Sequence, residues 1–180
     1  MTPRNVFVLC TGRCGSLTFA ESCRHLTNYT VGHETRVDRV GADRLAYPDH
    51  HIEVDNRLSW MLGRLGTAYP ESDTLWVHLR RDAEATARSF EKRWGRGIIR
   101  AYAKDVLPGA TKRADRFAIC LDYTRTVNAN IEAYLHGRER TCTVRLERVE
   151  EDFPHFLEMV GAEGDRAKAI AEWAVRHNAS

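Results

Sequence analysis

Three short stretches carry side chains whose types and spacing suit the binding of an oxyanion and a proton transfer beside it. The first is Thr11-Gly-Arg-Cys-Gly-Ser16, a glycine-bearing turn between the apolar run Asn5 to Cys10 and a helical pattern that starts at Leu17. Such a turn holds anions because the unpaired amides of the helix start and the positive end of its dipole point at one spot. A glycine turn can also serve chain reversal alone, but Arg13 and Ser16 add a charge and a hydroxyl where a phosphate would sit. It is not a Walker A sequence, because Gly12 and Gly15 are three apart and no Lys-Ser/Thr follows them. In the second stretch Arg81 lies just past an apolar run and Ser89 two helical turns on, with Arg93 one turn further. The third is Val31-Gly-His-Glu-Thr-Arg36, where the carboxylate of Glu34, at the end of a short strand, could take a proton from an acceptor hydroxyl.

These residues need a scaffold, and the apolar patterning supplies one. Asn5 to Cys10, Tyr29 to Val31 and Thr74 to Leu79 read as short strands, and Thr141 to Glu147 alternates with period two. Helical spacing runs through Leu17, Ala20, Cys23 and Leu26, through Arg57 to Ala68, and through Ala83 to about Arg93. A long amphipathic helix spans Asp115 to Leu135, and two more close the chain, Glu150 to Val160 and Asp165 to His177. Residues 36 to 56 and 94 to 113 show no clear period and read as loop or irregular chain. Strands separated by helices predict an α/β fold of three layers, a mainly parallel central sheet with helices on both faces. Residues 1–180 read as one domain, without repeat, low-complexity tract or linker. Arg81 then lies where open α/β sheets bind ligands, outside the carboxyl end of a strand.

In this frame the chain resembles the sulfotransferases that use 3′-phosphoadenosine 5′-phosphosulfate (PAPS). TGRCGS is similar to their 5′-phosphosulfate loop, usually written with Arg or Lys followed by Ser-Gly-Thr-Thr. The resemblance implies that Gly12, Arg13, Cys14, Gly15, Ser16, Leu17 and Thr18 hold the donor, with Arg13 on the phosphosulfate. Cys14 stands where Ser is usual, and Leu17 takes the second Thr position with Thr18 one place late. Arg81 and Ser89, seven residues between them, resemble the 3′-phosphate motif R-D-P-x-x-x-x-x-S, with Ala83 in place of Pro, and Arg93 matches an Arg used by some members. GHETRV resembles the corresponding segment of tyrosylprotein sulfotransferases, which makes Glu34 the base and Arg36 a substrate contact. His33 is the competing base, the role a histidine has in other branches. Arg145 to Phe153 resembles a late strand-to-helix segment of the family, and the polar stretch Glu53 to Trp60, with Arg57, is expected to border the acceptor pocket.

The resemblance implies a P-loop NTPase-like sulfotransferase fold and transfer of a sulfuryl group from PAPS to a hydroxyl or amine, with no metal needed. A small molecule or carbohydrate is the expected acceptor. At 180 residues the chain is short for that family, which leaves a pocket that is open or completed by a second subunit in a homodimer. A nucleoside or small-molecule kinase is the alternative enzyme, disfavoured by the missing Lys-Ser/Thr, and a non-catalytic nucleotide-binding module is the alternative outside catalysis.

Composition narrows the rest. The 27 basic and 25 acidic side chains leave a net charge of +2, short of the balance of a dedicated nucleic-acid binder, and 43% hydrophobic content excludes a disordered chain. The apolar run Val6 to Cys10 is too short for a signal peptide or a membrane span. Cys10, Cys14, Cys23, Cys120 and Cys142 show no CxxC pair and sit mostly in apolar runs, as reduced thiols do, which predicts a cytoplasmic chain. No zinc spacing occurs among the eight histidines, so no metal site is expected. Arg outnumbers Lys by 23 to 4, an excess that codon bias alone can produce. The charge is nonetheless local, since residues 78 to 100 hold seven basic and three acidic side chains.

Overall fold

The computed structural model describes residues 2–175 and 177. Five strands, β1 (Asn5–Cys10), β2 (Thr30–His33), β3 (His51–Val54), β4 (Thr74–Arg80) and β5 (Thr141–Arg145), form one sheet in the order β2-β3-β1-β4-β5. Every neighbouring pair is parallel. Because a parallel sheet is covered on both faces, β1 is buried along its whole length and its side chains divide between two cores. Val6, Val8 and Cys10 join the first core, beneath α1 (Ser16–Cys23), α6 (Val149–Met159) and α7 (Arg166–Ala171). Phe7 and Leu9 join the second, with α2 (Leu62–Ala68), α3 (Ala83–Glu91), α4 (Gly97–Ala101) and α5 (Arg116–Leu135). The expected three-layer α/β architecture is what the chain adopts.

Several boundaries differ from the sequence reading, each for a local reason. β3 falls inside residues 36–56, where loop was expected. Its four residues are all buried although two of them, His51 and Glu53, are polar, so the apolar signal is only Ile52 and Val54. The second strand is Thr30–His33 rather than Tyr29 to Val31. The helix expected over Arg57 to Ala68 is a 3₁₀ turn, Asn56–Trp60, then α2, with the break at Met61 (φ −125°). α1 stops at Cys23, and Leu26 bridges to Gly164 instead. Residues 94–113 contain α4, a π-helical stretch Tyr102–Val106 and a 3₁₀ turn Ala110–Lys112. The last expected helix shortens to α7 followed by the 3₁₀ turn Glu172–Ala174.

The order of strands sets the location of the site. The chain leaves β1 toward β2 and β3 on one side and later returns to β4 and β5 on the other, so the crevice at the end of β1 is the topological switch point of the sheet. Arg145, at the end of β5, grips Asp152 of α6 through its backbone amide and two guanidinium nitrogens at 2.7 to 2.9 Å. The late family-like segment therefore fastens a helix to the sheet.

Candidate active site at the switch point

A cavity of about 860 Å³ opens at the end of β1. Its floor is the turn after β1, lined by Gly12, Arg13, Gly15, Ser16, Leu17 and Thr18. Gly12, Arg13 and Gly15 all have positive φ, of 79°, 59° and 90°. A side chain at Gly12 would also meet Asn56 Nδ2 at 2.8 Å, so glycine is demanded twice over. Arg13 takes the left-handed conformation without that freedom, a cost that local structure must over-determine. Three donors supply the constraint. Tyr123 Oη donates to Thr11 O at 2.8 Å, Ser59 Oγ to Cys10 O at 3.1 Å and Asn56 Nδ2 to Thr11 O at 3.4 Å, which satisfies carbonyls that a buried turn would otherwise orphan.

One wall comes from the end of β4 and from α3. Asp82 caps α3 by accepting from Ala85 N at 2.8 Å, which places Ala83 at the first helical position, where Pro is merely the pre-organised choice. Arg81 donates to Arg13 O at 3.2 Å, and Arg13 Nε donates to Ser89 Oγ at 3.1 Å. The two anion motifs, nearly 70 residues apart in the chain, thus touch. Arg93, Arg88 and Lys92 line the same wall. Burial lowers the Arg13 proton affinity, and the nearby positive charges of Arg93 and Arg81 lower it further. Gathering like charges in this way is costly by itself and favourable around a polyanion. The local positive charge read from residues 78–100 is therefore partly real geometry: Arg81, Arg88, Lys92 and Arg93 face the cavity, whereas Arg80 pairs with Glu132 at 2.8 Å.

The opposite rim carries His33 and Glu34. His33 Nε2 lies 3.3 Å from Ser16 Oγ, and Glu34 pairs with Arg57 at 2.6 Å. Glu34 has φ +55°, a conformation unusual for any residue but Gly or Asn, and its N–H donates to Val54 O at 3.1 Å. Asp55 holds the other half of the pair. Its carboxylate accepts from Arg57 N at 2.8 Å and from the buried Arg44 at 2.5 Å. Burial pushes the Asp55 carboxyl above its ordinary value even so, with the bonds from Arg57 and Arg44 acting against it.

Eleven of the site residues read from sequence line this cavity: the turn residues without Cys14, then His33, Glu34, Arg81, Ser89 and Arg93. Three do not. Cys14 points into the core beside Cys10, whose thiol is pushed well up by its hydrogen bond to Cys14 and by burial. Arg57 reaches the site through Glu34 rather than by lining it. Arg36 turns away, donating to Asp43 O at 2.9 Å and lying 5.6 Å over the Tyr47 ring in a separate cavity of about 320 Å³.

The structure adds Asn56, Leu146, Trp173, Val175 and His177 to the wall. Trp173 comes so close that a side chain at Gly15 would meet its ring at 3.3 Å. Glu172 joins His25 at 3.1 Å to His177 at 2.7 Å, and bonds from these two histidines hold its carboxyl below the ordinary range. Of the closing segment Arg176 to Ser180, His177 thus borders the cavity; residues 176 and 178–180 lie outside the described residues. No local signal marks Trp173 or His177, since their closeness to the turn is purely tertiary. Among the described residues no helix is long and apolar enough to cross a membrane.

A three-layer parallel sheet with an anion turn at its switch point defines a broad class of nucleotide-binding folds, and comparison with solved structures narrows it. The chain has the sulfotransferase fold. It superposes on the sulfotransferase domain from the curacin biosynthetic pathway with TM-score 0.61 and 12% identity, over 93% of this chain and 77% of that one. It superposes on mouse sulfotransferase SULT7A1 complexed with PAP with TM-score 0.59 and 12% identity, over 95% of this chain. It spans 62% of the length of the mouse protein. No family model and no curated protein matches the sequence.

Proposed function

We propose that this chain is a sulfotransferase that moves a sulfuryl group from PAPS to a hydroxyl or amine of a small-molecule or carbohydrate acceptor in the cytoplasm. The observation that carries the reading is the contact between Arg13 of the β1 turn and Ser89 of α3, with Arg81 on the Arg13 carbonyl. It joins the two motifs whose family counterparts hold the two phosphate ends of one nucleotide, in a cavity where, among the described residues, Glu34 is the one carboxylate beside five cationic side chains of Arg and Lys.

The residues divide the work in this reading. The amides of Gly15, Ser16 and Leu17, with Arg13, neutralise charge that develops on the leaving phosphate oxygen as the S–O bond to it breaks. Arg81, Ser89 and Arg93 select the 3′-phosphate. Glu34 accepts the acceptor's proton as the new S–O bond forms, and Arg57 holds its carboxylate on the rim. His33, bonded to Ser16, is the second group able to take that proton.

Incubation with ³⁵S-labelled PAPS and a panel of hydroxyl- and amine-bearing metabolites tests the reading. Label is expected on at least one acceptor. Label that stays on the donor, together with ³²P transfer from γ-labelled ATP in magnesium, would replace the sulfotransferase by a kinase.

A further inference from the structure

Behind the Glu34 rim, outside the donor cavity, a polar cluster surrounds a buried carboxylate, its outer members Thr35 and His51 lining the smaller cavity of about 320 Å³. Glu53, on β3, is fully buried, and its two carboxylate oxygens accept from Thr35 N at 2.8 Å and from Thr35 Oγ1 at 2.7 Å. His51, 6% exposed, reaches Glu53 Oε2 through Nε2 at 2.9 Å, and its Nδ1 lies 2.8 Å from Thr30 Oγ1. Three of the bonds therefore converge on one carboxylate, whose target is the residue next to Glu34. Burial raises the Glu53 carboxyl, but His51 and both Thr35 donors outweigh it and leave it below the ordinary glutamate range.

The backbone is shaped around this group. Gly32 is the register partner of Glu53, and a side chain at Gly32 would meet Glu53 Oε2, Thr35 Cγ2 and His51 Nε2 at or inside 3.0 Å. Gly32 has an ordinary φ, so its lack of a side chain serves the carboxylate rather than a turn. A buried ion is a poor way to add stability, because apolar residues of similar volume commonly do as well or better. A buried ion that fixes one turn does something packing cannot, since it dictates where two specific donors point.

We propose that Glu53 is a positioning residue for the transfer reaction: it clamps Thr35 and so holds Glu34, in its left-handed conformation, facing the donor cavity. The inference rests on the sulfotransferase reading, with Glu34 as base. Glu53 touches no substrate. Its carboxylate acts through Thr35 on β2's exit as Asp55 acts through the Arg57 amide on the other half of the Glu34–Arg57 pair. Misplacing a reacting group by about 1 Å can cost on the order of a hundredfold in rate.

The test uses Glu53→Met, Glu53→Gln and their combinations with Glu34→Gln, with kcat for ³⁵S transfer to the acceptor found in the metabolite panel. Glu53→Met is expected to lower kcat about tenfold to a hundredfold. Its Kd for adenosine 3′,5′-bisphosphate stays within about twofold of wild type, because only the rim moves. Glu53→Gln, which keeps an acceptor for the Thr35 amide, is expected to recover most of the rate. Glu34→Gln/Glu53→Met is expected to be no slower than Glu34→Gln alone, a non-additivity that a general loss of structure would not produce. Hydrogen exchange at the Thr35 amide gives a readout independent of any acceptor and should be faster in Glu53→Met. Thr35→Val, which removes only the hydroxyl bond, gives the same cycle at smaller amplitude if Glu53→Met does not fold. Wild-type kcat in Glu53→Met, or a further loss on the Glu34→Gln background, overturns the proposal. Failure of the wild-type chain to transfer label overturns the sulfotransferase reading instead, and the Thr35 exchange rate then still decides whether Glu53 clamps the turn.

Discussion

At the scale of single residues, both ends of the proposed reaction are held through backbone and side chain together. Arg13 has its carbonyl bonded by Arg81 and its guanidinium on Ser89, and Glu34 has its amide on Val54 O and its carboxylate on Arg57. In the proposed reaction Glu34 takes the acceptor's proton and contributes little to donor binding. Glu34→Gln should keep the Kd for adenosine 3′,5′-bisphosphate within about twofold and lower turnover at least about a hundredfold, the scale of general-base catalysis. Unchanged turnover, measured as ³⁵S transfer, would move the role to His33. The sequence shows which residue types could serve here but not which way they point. Arg36 is two positions from Glu34 in the sequence and lies in another cavity, because the left-handed Glu34 turns the chain between them.

At the scale of elements, the turn between β1 and α1 owes its shape to α5 and to the 3₁₀ turn at Asn56–Trp60 as much as to its own glycines. Tyr123→Phe should cost about 1 kcal/mol in denaturant unfolding, the low end for an orphaned buried acceptor, because Asn56 still donates weakly to Thr11 O. β1 with its turn and β4 with α3 are legible from sequence because an unbroken apolar run, a capping or glycine signal and a helical period follow one another without interruption. β3 is not, since His51 and Glu53 are buried by bonds to Thr30 and Thr35 that no local pattern displays. The wall formed by Trp173 and His177 is likewise invisible, as it depends on the packing of α7 against α1.

At the scale of the whole molecule, the net charge of +2 conceals a cavity wall of concentrated cations and a core that holds ionisable groups in fixed states. His78, in the middle of the sheet, donates through Nε2 to Asn128 Oδ1 at 3.1 Å, and burial lowers its pKa from 6.5 to about 4. The unfolded chain then binds a proton near pH 6.5 that the folded chain refuses until about pH 4, so stability falls across that window as pH is lowered. The shift corresponds to about 3 kcal/mol. Urea unfolding of wild type against His78→Gln should show a shallower loss in the variant between those pH values; parallel curves would mean that His78 titrates normally.

The joining of two anion motifs into one nucleotide site is the claim on which the functional reading depends. Calorimetric titration of wild type and Arg81→Ala with adenosine 3′,5′-bisphosphate and with adenosine 5′-monophosphate tests it most directly. The wild type is expected to bind the bisphosphate at least about tenfold more tightly than the monophosphate, the scale of one charge-assisted hydrogen bond, and Arg81→Ala to erase most of that gap. Equal affinities for the two nucleotides in the wild type would contradict it.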